Sequence, residues 1–423
     1  MLRLSFHGAM QTVGCSSVLL ESEKTRLVLD YGVKPREVPP KFPIEIKGNV
    51  DAILLSHAHL DHSGAIPLFF LKDKLPKVFA IDVTKPLTKL LLLDSIKVSR
   101  EEGVELPFSK SDVKKTMQNF VLIDYKEEFE IGDFSFEFLD AGHIPGSACI
   151  KLYYKDKTIL YTGDIKIQDT RLLKGMEKRI GDVDILITES TYADREHPDR
   201  KEQEKELIKM VRETLASNGV ALIACFAVGR VQEILLVLYN YGIEYPLYMD
   251  GMARKATVII NKFANRLKDP KEFDKALDKV EFIKNQKTRK RLVREPCVIL
   301  TTSGMLQGGP ILYYLRKLHK RENCSLILTG WQLEDTPGRI LLETGRYVNP
   351  KEGLDFDVKM KVKRLDFSAH AGRSQLFKFI EKANPEKIFC IHGDHTEEFA
   401  RELKERGFDA VAPVANNRIF QLC

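Results

Sequence analysis

The chain has 423 residues, of which 43% are hydrophobic and 30% charged, and its formal net charge is +6 at pH 7. This length allows two or three domains with cores of their own, and the composition excludes an intrinsically disordered chain. The small positive excess fits a polyanionic partner and fits an ordinary soluble protein equally well. The richest apolar run, residues 87–96, is interrupted by Lys89 and Asp94 and is too short to span a bilayer.

The cysteines and the first residues indicate a cytoplasmic protein. None of the seven cysteines belongs to a Cys-x-x-Cys pair, and five lie in or beside apolar runs, which is typical of small buried side chains. Those five are Cys149, Cys225, Cys297, Cys324 and Cys390. The opening sequence MLRLSFHGAMQTVG lacks the long apolar segment of a signal peptide. We therefore expect a reduced chain without disulfides that is not bound to a membrane.

The first part of the chain is predicted to consist of strands that end in an acid or a histidine. Apolar and polar residues alternate with a period of two along several segments. These are LRLSF, SSVLLES, TRLVLDYG, VDAILLS, FSFEFLDAGH, KTILYTGD and DVDILITES. Active sites in α/β proteins tend to lie at such strand ends, because the strand is rigid and the loop is free to vary.

The middle of the chain has a different pattern. The segment HPDRKEQEKELIKMVRETL reads as an amphipathic helix, and short apolar strands then alternate with helical patterns, which predicts a parallel, doubly wound sheet. After about residue 365, strands that are followed by polar residues occur again, as in the first part of the chain, in LDFSAHAGR and KIFCIHGDH. We predict an α/β protein in which residues 194–366 are a domain inserted between residues 1–193 and residues 367–423.

A metal site is predicted directly after the strand VDAILLS, in the pattern His57-x-His59-x-Asp61-His62. Residues two apart in extended backbone point the same way, so His57 and His59 can bind one ion, and Asp61 and His62 can face a second. These ligand types suit zinc, although a mixed nitrogen and oxygen site also accepts manganese or iron. A chance run on a loop is the alternative, and three of only ten histidines within six residues argue against it.

Further ligands are expected at other strand ends. Candidates are His143 in AGHIPGSA, Asp164 in YTGD and His392 in CIHGDH. Asp164 is the natural bridge, since a carboxylate has two oxygens. Asp30, after TRLVL, is either an acid that orients a ligand histidine or an ordinary turn residue.

Six motifs in this order resemble the metallo-β-lactamase superfamily and, more narrowly, its β-CASP ribonuclease branch. They are SHAHLDH, GHIPGSA, YTGD, ITESTY, FSAHAGR and CIHGDH, and together they span nearly the whole chain. The pattern is most like archaeal and bacterial homologues of the cleavage and polyadenylation specificity factor endonuclease. The resemblance implies an αββα sandwich carrying an inserted β-CASP domain, with the RNA path between them.

The resemblance also implies two zinc ions per chain and a catalytic pair. The implied ligands are His57, His59 and His143 for one ion, Asp61, His62 and His392 for the other, and Asp164 as the bridge. A hydroxide held between the ions would attack phosphorus, and His370 in FSAHAGR would give a proton to the leaving oxygen. Glu189, in ITESTY, would orient the His370 ring. Without the family, His370 reads as an ordinary loop histidine.

Substrate and RNA-binding residues follow from the same resemblance. A histidine at the third β-CASP motif, here His392, indicates RNA, since DNA-repair members tend to carry valine there. The segment TTSGMLQGGP follows a strand and precedes a helix, and its Ser303, Gly304, Gly308 and Gly309 are phosphate-binding candidates or simply a glycine turn.

Two more basic features are ambiguous in the sequence. Arg230 in FAVGRVQE either contacts RNA or is a surface arginine. The basic run KNQKTRKRLVRE either contacts a nucleic acid or is a solvated helix face. His395 in HGDH is interpreted as a residue at a helix start rather than a ligand.

The expected function is therefore a zinc-dependent, endonucleolytic ribonuclease for single-stranded RNA. Three alternatives remain: a 5′-to-3′ exoribonuclease resembling ribonuclease J, an inactive scaffold of an RNA-processing complex, and a small-molecule hydrolase of the wider superfamily. We expect no KH domains before the nuclease, unlike one archaeal subgroup, and RNA affinity and sequence preference are therefore expected to be weak or supplied by a partner protein. A homodimer is expected only from the family.

Overall fold

The computed structural model describes residues 1–34, 37, 39–71, 75–415 and 419–422. Contacts between α-carbons divide the chain into two compact units. Unit 1 comprises Met1–Asp169, Gly175–Glu196 and His370–Cys423, and unit 2 comprises Thr170–Lys174 and His197–Ala369. The short segment Thr170–Lys174 joins unit 2 through Arg171, whose guanidinium forms a two-point ion pair with Glu204. Strands and helices are numbered below in chain order.

Unit 1 contains two mixed sheets of seven strands each among the described residues. In spatial order the first sheet is β22 (Ile419–Gln421), β1 (Arg3–Phe6), β2 (Val18–Glu21), β3 (Arg26–Leu29), β4 (Ala52–Leu54), β5 (Lys77–Ile81) and β6 (Phe120–Ile123). The second is β21 (Ala410–Val411), β20 (Lys387–Ile391), β11 (Ile185–Glu189), β10 (Lys157–Tyr161), β9 (Ala148–Tyr154), β8 (Phe134–Asp140) and β7 (Glu128–Ile131).

Helices cover the outer faces of the two sheets. They are α2 (Thr84–Glu101), α3 (Lys110–Gln118), α11 (Arg373–Ala383) and α12 (Thr396–Glu405), together with a 3-10 helix at Ile66–Leu71. The single-turn helix α1 (Leu60–Ser63) follows β4. One core cluster joins the first sheet to α2 and α3, and another joins the second sheet to α11 and α12. Phe6 in β1 contacts Phe389 in β20, with ring centroids 5.2 Å apart and the rings tilted by 45°, so the two sheets pack face to face. The order of layers is therefore helix, sheet, sheet, helix.

Unit 2 is built on a six-stranded parallel sheet. Its spatial order is β14 (Val280–Phe282), β13 (Leu247–Met249), β15 (Cys297–Thr301), β12 (Val220–Ala224), β16 (Ser325–Leu328) and β19 (Lys361–Arg364). The connecting helices are α4 (Arg200–Ala216), α5 (Arg230–Asn240), α6 (Met252–Lys262), α7 (Pro270–Leu277), α8 (Gln286–Leu292), α9 (Ile311–Leu318) and α10 (Pro337–Thr344). A hairpin of β17 (Arg346–Asn349) and β18 (Leu354–Asp357) and two 3-10 helices, Ala264–Arg266 and Pro350–Glu352, complete it. The residues of β12, β15 and β16 are all buried, as expected for a sheet covered on both faces.

The predicted α/β class is confirmed, including the parallel sheet of the middle block. The five cysteines expected to be buried are free and buried. No helix in the described part of the chain combines the length and the apolar character needed to cross a bilayer.

Candidate metal centre

Histidines and acids from separate strand ends meet in unit 1. They are His57, His59, Asp61 and His62 around β4 and α1, His143 after β8, Asp164 after β10 and His392 after β20. The buried strands fix where each loop begins, and the loops turn sharply: His392 itself has a φ of 52°. The seven residues that the sequence offered as ligands therefore lie together.

Four of these side chains form the first group, His57, His59, His143 and Asp164, whose ligand atoms all lie within 4.8 Å of one another. His59 Nδ1 is 3.2 Å from Nε2 of both His57 and His143. Asp164 Oδ2 is 3.5 Å from His57 Nε2 and 3.7 Å from His143 Nε2. Three imidazoles and one carboxylate are ligands that tetrahedral zinc accepts.

The second group shares Asp164 and adds Asp61, His62 and His392. Asp164 Oδ1 lies 3.3 Å from His62 Nε2 and 3.2 Å from His392 Nδ1. Asp61 Oδ2 is 3.6 Å from His392 Nε2. Since Oδ2 of Asp164 faces the first group and Oδ1 faces the second, this carboxylate can bridge two ions. A third group that could hold an ion combines Asp164 with Glu189 and His370.

Two atoms of the second group show that it fits a metal. Asp164 Oδ1 and His392 Nε2 are shielded from solvent and make no hydrogen bond to any described residue. A buried polar atom without a partner costs about 1–3 kcal/mol. A metal ion that takes the lone pairs of these atoms would remove that cost.

Two of the ligands, His57 and Asp164, have protonation states that suit metal binding, whereas the carboxylates of Asp164 and Asp30 outweigh burial and raise the pKa of His62 well above its ordinary value. Burial lowers the pKa of His57 well below its ordinary value, and the neighbouring His62 lowers it further, so the imidazole is neutral. Burial acts to raise the pKa of Asp164, but His392 and His62 outweigh it and hold that pKa well below its usual range. Neutral imidazoles and ionised carboxylates are the forms that bind metals.

Asp30 holds His62 through a buried network. The Asp30 carboxylate accepts hydrogen bonds from Nδ1 of His62 (2.7 Å), the hydroxyl of Tyr161 (2.7 Å), and the backbone N–H (2.7 Å) and hydroxyl (2.6 Å) of Ser56. With its Nδ1–H directed at Asp30, His62 presents Nε2 to Asp164. Tyr161 and Ser56 were not identified in the sequence, where a tyrosine in a strand and a serine before a histidine give no signal.

Glu189 and His370 form a pair at the edge of the centre. Oε2 of Glu189 accepts a hydrogen bond from Nδ1 of His370 at 3.0 Å, and Oε1 accepts one from the backbone N–H of Ile165 at 2.6 Å. The ring of His370 lies 4.6 Å from that of His143, centroid to centroid. Burial acts to lower the pKa of His370, but the charge and hydrogen bond of Glu189 outweigh it and the net pKa is raised.

Lys166 supports this pair and was also missed in the sequence. Its side chain is buried, and Nζ donates to the backbone carbonyl of His370 at 2.9 Å. A lysine in the loop five residues after β10 reads as a solvated charge, so only the fold could identify it. His395 immediately precedes α12, is half exposed, and has Nε2 3.8 Å from Oδ2 of Asp194.

The candidate RNA-binding residues all belong to unit 2. Arg230 is the first residue of α5, and Ser303, Gly304, Gly308 and Gly309 lie in the loop between β15 and α9. The hydroxyl of Ser303 accepts the N–H groups of Gln307 and Gly308, so this side chain shapes its own loop.

Within the basic run, Arg289 is committed to a structural pair. It forms a two-point ion pair with the fully buried Asp250, at 2.7 Å and 3.0 Å. The side chains of Lys284, Lys287, Lys290 and Arg294 are exposed. Arg289 therefore has a structural role, and only the exposed residues of the basic run are available to bind a ligand.

Three family models match the chain. They are the Beta-Casp domain over residues 231–341, the Zn-dependent metallo-hydrolase RNA specificity domain over residues 355–413, and the anti-Pycsar protein Apyc1 over residues 8–198.

Curated relatives match nearly the whole length of the chain. It is 40% identical to the probable RNase MJ4 of Methanocaldococcus jannaschii, over 99% of this chain and 100% of that protein. It is 37% identical to RNase aCSPSF2 of Saccharolobus solfataricus (97% of this chain, 83% of the relative) and 35% identical to the transcription termination factor FttA of M. jannaschii (94% and 67%). A protein of unknown function from Enterococcus faecalis V583 shares the fold over 100% of both chains, with a TM-score of 0.65 at 15% identity.

Proposed function

Because the chain belongs to the β-CASP ribonucleases of the metallo-β-lactamase superfamily, a family of metal-dependent hydrolases, we propose that it cuts single-stranded RNA endonucleolytically with two zinc ions per chain. The observation that carries the proposal is the buried Asp164 carboxylate, with one oxygen facing each of two ligand groups. We infer a metallo-β-lactamase domain in residues 1–193 and 367–423 and a β-CASP domain in residues 194–366.

Each ion has its own set of side chains in this proposal. His57, His59 and His143 would hold the first ion, Asp61, His62 and His392 would hold the second, and Asp164 would be shared by both. When bound, two such ions supply Lewis acidity and an activated water for phosphodiester hydrolysis. Asp30 keeps the His62 ring in the orientation that presents Nε2 to the centre.

His370 is the proposed proton donor. Hydrolysis adds water across a P–O bond, and the departing oxygen needs a proton to leave as a hydroxyl group. Glu189 accepts the Nδ1–H of His370, so the transferred proton comes from Nε2. Glu189 also favours the imidazolium form, which is the form that can donate. Lys166 holds the backbone of His370 in place.

Endonucleolytic cleavage is proposed over 5′-to-3′ exonucleolytic cleavage because of the resemblance to specificity-factor homologues. A second candidate remains, because a relative from M. jannaschii at 38% identity is named an RNase J-like protein. The discriminating experiment compares circular RNA, 5′-blocked RNA and 5′-monophosphate RNA. We expect cleavage of all three. Circular RNA that stays intact while 5′-monophosphate RNA is shortened stepwise would assign the exonuclease instead.

The inactive scaffold predicts different behaviour. If the protein is an inactive scaffold, the purified protein binds no zinc, or the His57→Ala substitution leaves the rate of RNA cleavage unchanged. Metal analysis of the purified protein and an activity assay of that variant separate it from the nuclease. The cytoplasmic location, the homodimer and the partner proteins expected from the sequence stay predictions.

A further inference from the structure

The turn that carries His392 is held by the segment directly after β11. His392 has a φ of 52°, a value that residues with a side chain rarely adopt. The hydroxyl of Ser190 donates to the backbone carbonyl of Ile391 at 2.7 Å, and the backbone N–H of Ser190 donates to the carbonyl of His392 at 3.3 Å. A Cβ on Gly393 would clash with the carbonyl oxygen of Ser190, so the two segments are in close contact. The segment after β11 therefore fixes the backbone from which the His392 ring projects.

The ring of His392 has two nitrogens, and each lies beside a carboxylate of the second ligand group. Nε2 is 3.6 Å from Oδ2 of Asp61, and Nδ1 is 3.2 Å from Oδ1 of Asp164. A neutral imidazole carries its proton on one nitrogen, and only the other nitrogen has a lone pair that can bind a cation. The position of the ring proton therefore decides which nitrogen is the ligand atom.

Thr191 distinguishes the two nitrogens of His392. Its Oγ1 lies 3.1 Å from the backbone carbonyl oxygen of His392 and 3.3 Å from Nδ1 of the same residue. The carbonyl oxygen can only accept, so the threonine hydroxyl donates to it, and Oγ1 is left to accept a hydrogen bond from Nδ1–H. This arrangement places the ring proton on Nδ1 and the lone pair on Nε2. Nε2 is also the nitrogen that is shielded from solvent and has no hydrogen-bond partner among the described residues.

We propose that Thr191 is a positioning residue of the metal centre, which selects Nε2 of His392 as the ligand atom for the second ion. Nε2 of His392 and Oδ1 of Asp164, the two buried atoms of the second group without a partner, then both offer a lone pair to one cation. A ligand histidine whose other nitrogen donates to a fixed acceptor is held in orientation and is a more basic ligand. This role rests on the proposed function in one respect, which is that a zinc ion occupies the second group.

The segment after β11 then serves both parts of the centre. Glu189 accepts the Nδ1–H of His370, the proposed proton donor, and two residues later Thr191 accepts the Nδ1–H of His392, a proposed ligand. The two contacts act on different steps, so their loss has different effects. Loss of the glutamate charge lowers the cleavage rate with zinc retained, whereas loss of the threonine hydroxyl lowers the affinity for one zinc ion.

The first test measures the stepwise zinc affinity of the full chain by competition with a chelator of known affinity. Thr191→Val removes the hydroxyl with little change of shape, and Thr191→Ser retains it. Thr158→Val is the matched control, because Thr158 lies in β10 at the end opposite Asp164. We expect Thr191→Val to weaken the binding of one zinc ion about tenfold and to leave the other nearly unchanged. Thr191→Ser and Thr158→Val should bind both ions like the wild type. Equal losses in Thr191→Val and Thr191→Ser would overturn the role of the hydroxyl.

The second test reads the ring proton in the zinc-loaded protein with histidine labelled by nitrogen-15. Long-range proton–nitrogen correlation spectra distinguish rings protonated at Nδ1 from rings protonated at Nε2, and the ring signal absent from His392→Gln belongs to His392. We expect His392 to be protonated at Nδ1, with its signals shifted in Thr191→Val and kept in place in Thr191→Ser. A His392 ring protonated at Nε2 would make Nδ1 the ligand and overturn the proposal.

The outcomes also separate this role from the nuclease. Two bound zinc ions and a zinc affinity that Thr191→Val leaves unchanged, in a protein that cleaves RNA, would overturn the role of Thr191 alone. A wild type that binds two ions, loses affinity for one of them on Thr191→Val and cleaves no RNA would refute the nuclease and leave the role of Thr191 standing. A wild type that takes up no zinc would overturn both.

Discussion

Nδ1 of His370 lies 3.0 Å from Oε2 of Glu189, although 181 residues separate the two in the chain. The contact links the end of β11 to the segment that re-enters unit 1 after unit 2. A glutamate that holds one ring nitrogen fixes the tautomer and leaves the proton-donating role to the other nitrogen.

This pair gives the first prediction. His370→Ala and Glu189→Gln should lower kcat for RNA by a factor of roughly 10²–10⁴, the usual share of a general acid, while both zinc ions stay bound. The loss should nearly vanish with bis(p-nitrophenyl) phosphate, because nitrophenolate leaves without a proton. Rates on the two substrates and metal analysis check this. An equal loss on both substrates, or release of an ion, would show that His370 serves the metals through the third group.

The bridging carboxylate gives the second prediction. Asp164→Asn removes the negative charge that both ligand groups share, so zinc content should fall from two ions to one or fewer and RNA cleavage should drop at least about 100-fold. Asp409→Asn is the control, because Asp409 is an exposed acid of the same unit, paired with Lys387. Full zinc content in Asp164→Asn would contradict the shared-bridge assignment.

The third prediction concerns Asp30. Asp30→Asn should weaken zinc binding at the second group by about 10–100-fold, the usual effect of losing the partner of a ligand histidine, with little change at the first group. Tyr161→Phe removes a single one of the hydrogen bonds to that carboxylate and should act in the same direction but less strongly. Competition with a chelator of known affinity measures both. If the two substitutions leave zinc affinity unchanged, Asp30 is only a turn residue.

The fourth prediction uses pH to test the fold of unit 2. Burial acts to raise the pKa of Asp366, but the hydrogen bond and charge of His197 outweigh it and hold that pKa well below its usual range. A depressed folded-state pKa stabilises the protein above the unfolded pKa of about 4 and stops doing so as pH falls toward the folded value. Asp366→Asn should therefore cost about 1–3 kcal/mol of unfolding free energy at pH 7.

The difference from the wild type should shrink as the pH falls below about 4. Denaturant unfolding of both proteins across that range measures it. A difference that stays constant with pH would mean that the carboxylate charge contributes nothing.

The site residues that lie in short, recognisable sequence motifs could be predicted from the sequence. His57, His59, Asp61 and His62 fall within six consecutive residues, and Asp164 and His392 follow strands that are recognisable from their apolar runs. The fold class followed from the same strands. These features need no knowledge of which strands are neighbours.

Other parts depend on contacts between distant segments, which one sequence does not contain. Tyr161 resembles any core residue until the fold places its hydroxyl against Asp30. In the sequence Arg289 resembles its exposed neighbours, and only the fold shows that its guanidinium donates two hydrogen bonds to the carboxylate of Asp250. Thr170–Lys174 joins unit 2 through the ion pair of Arg171 with Glu204 and through backbone N–H groups that donate to the side chain of Glu233, and no boundary signal marks it.

The order of strands in the second sheet of unit 1 has a consequence for protein synthesis. β11 pairs in parallel with β20, with Ile185 opposite Lys387, and His392 follows that strand directly. A ribosome that has made residues 57–62 must add the whole of unit 2 before β20 and His392 exist. At about 5–20 residues per second this interval lasts roughly 20–60 s. The nascent chain therefore carries an open sheet edge and an incomplete ligand set throughout this interval, and the ligand set is complete only after His392 has been made.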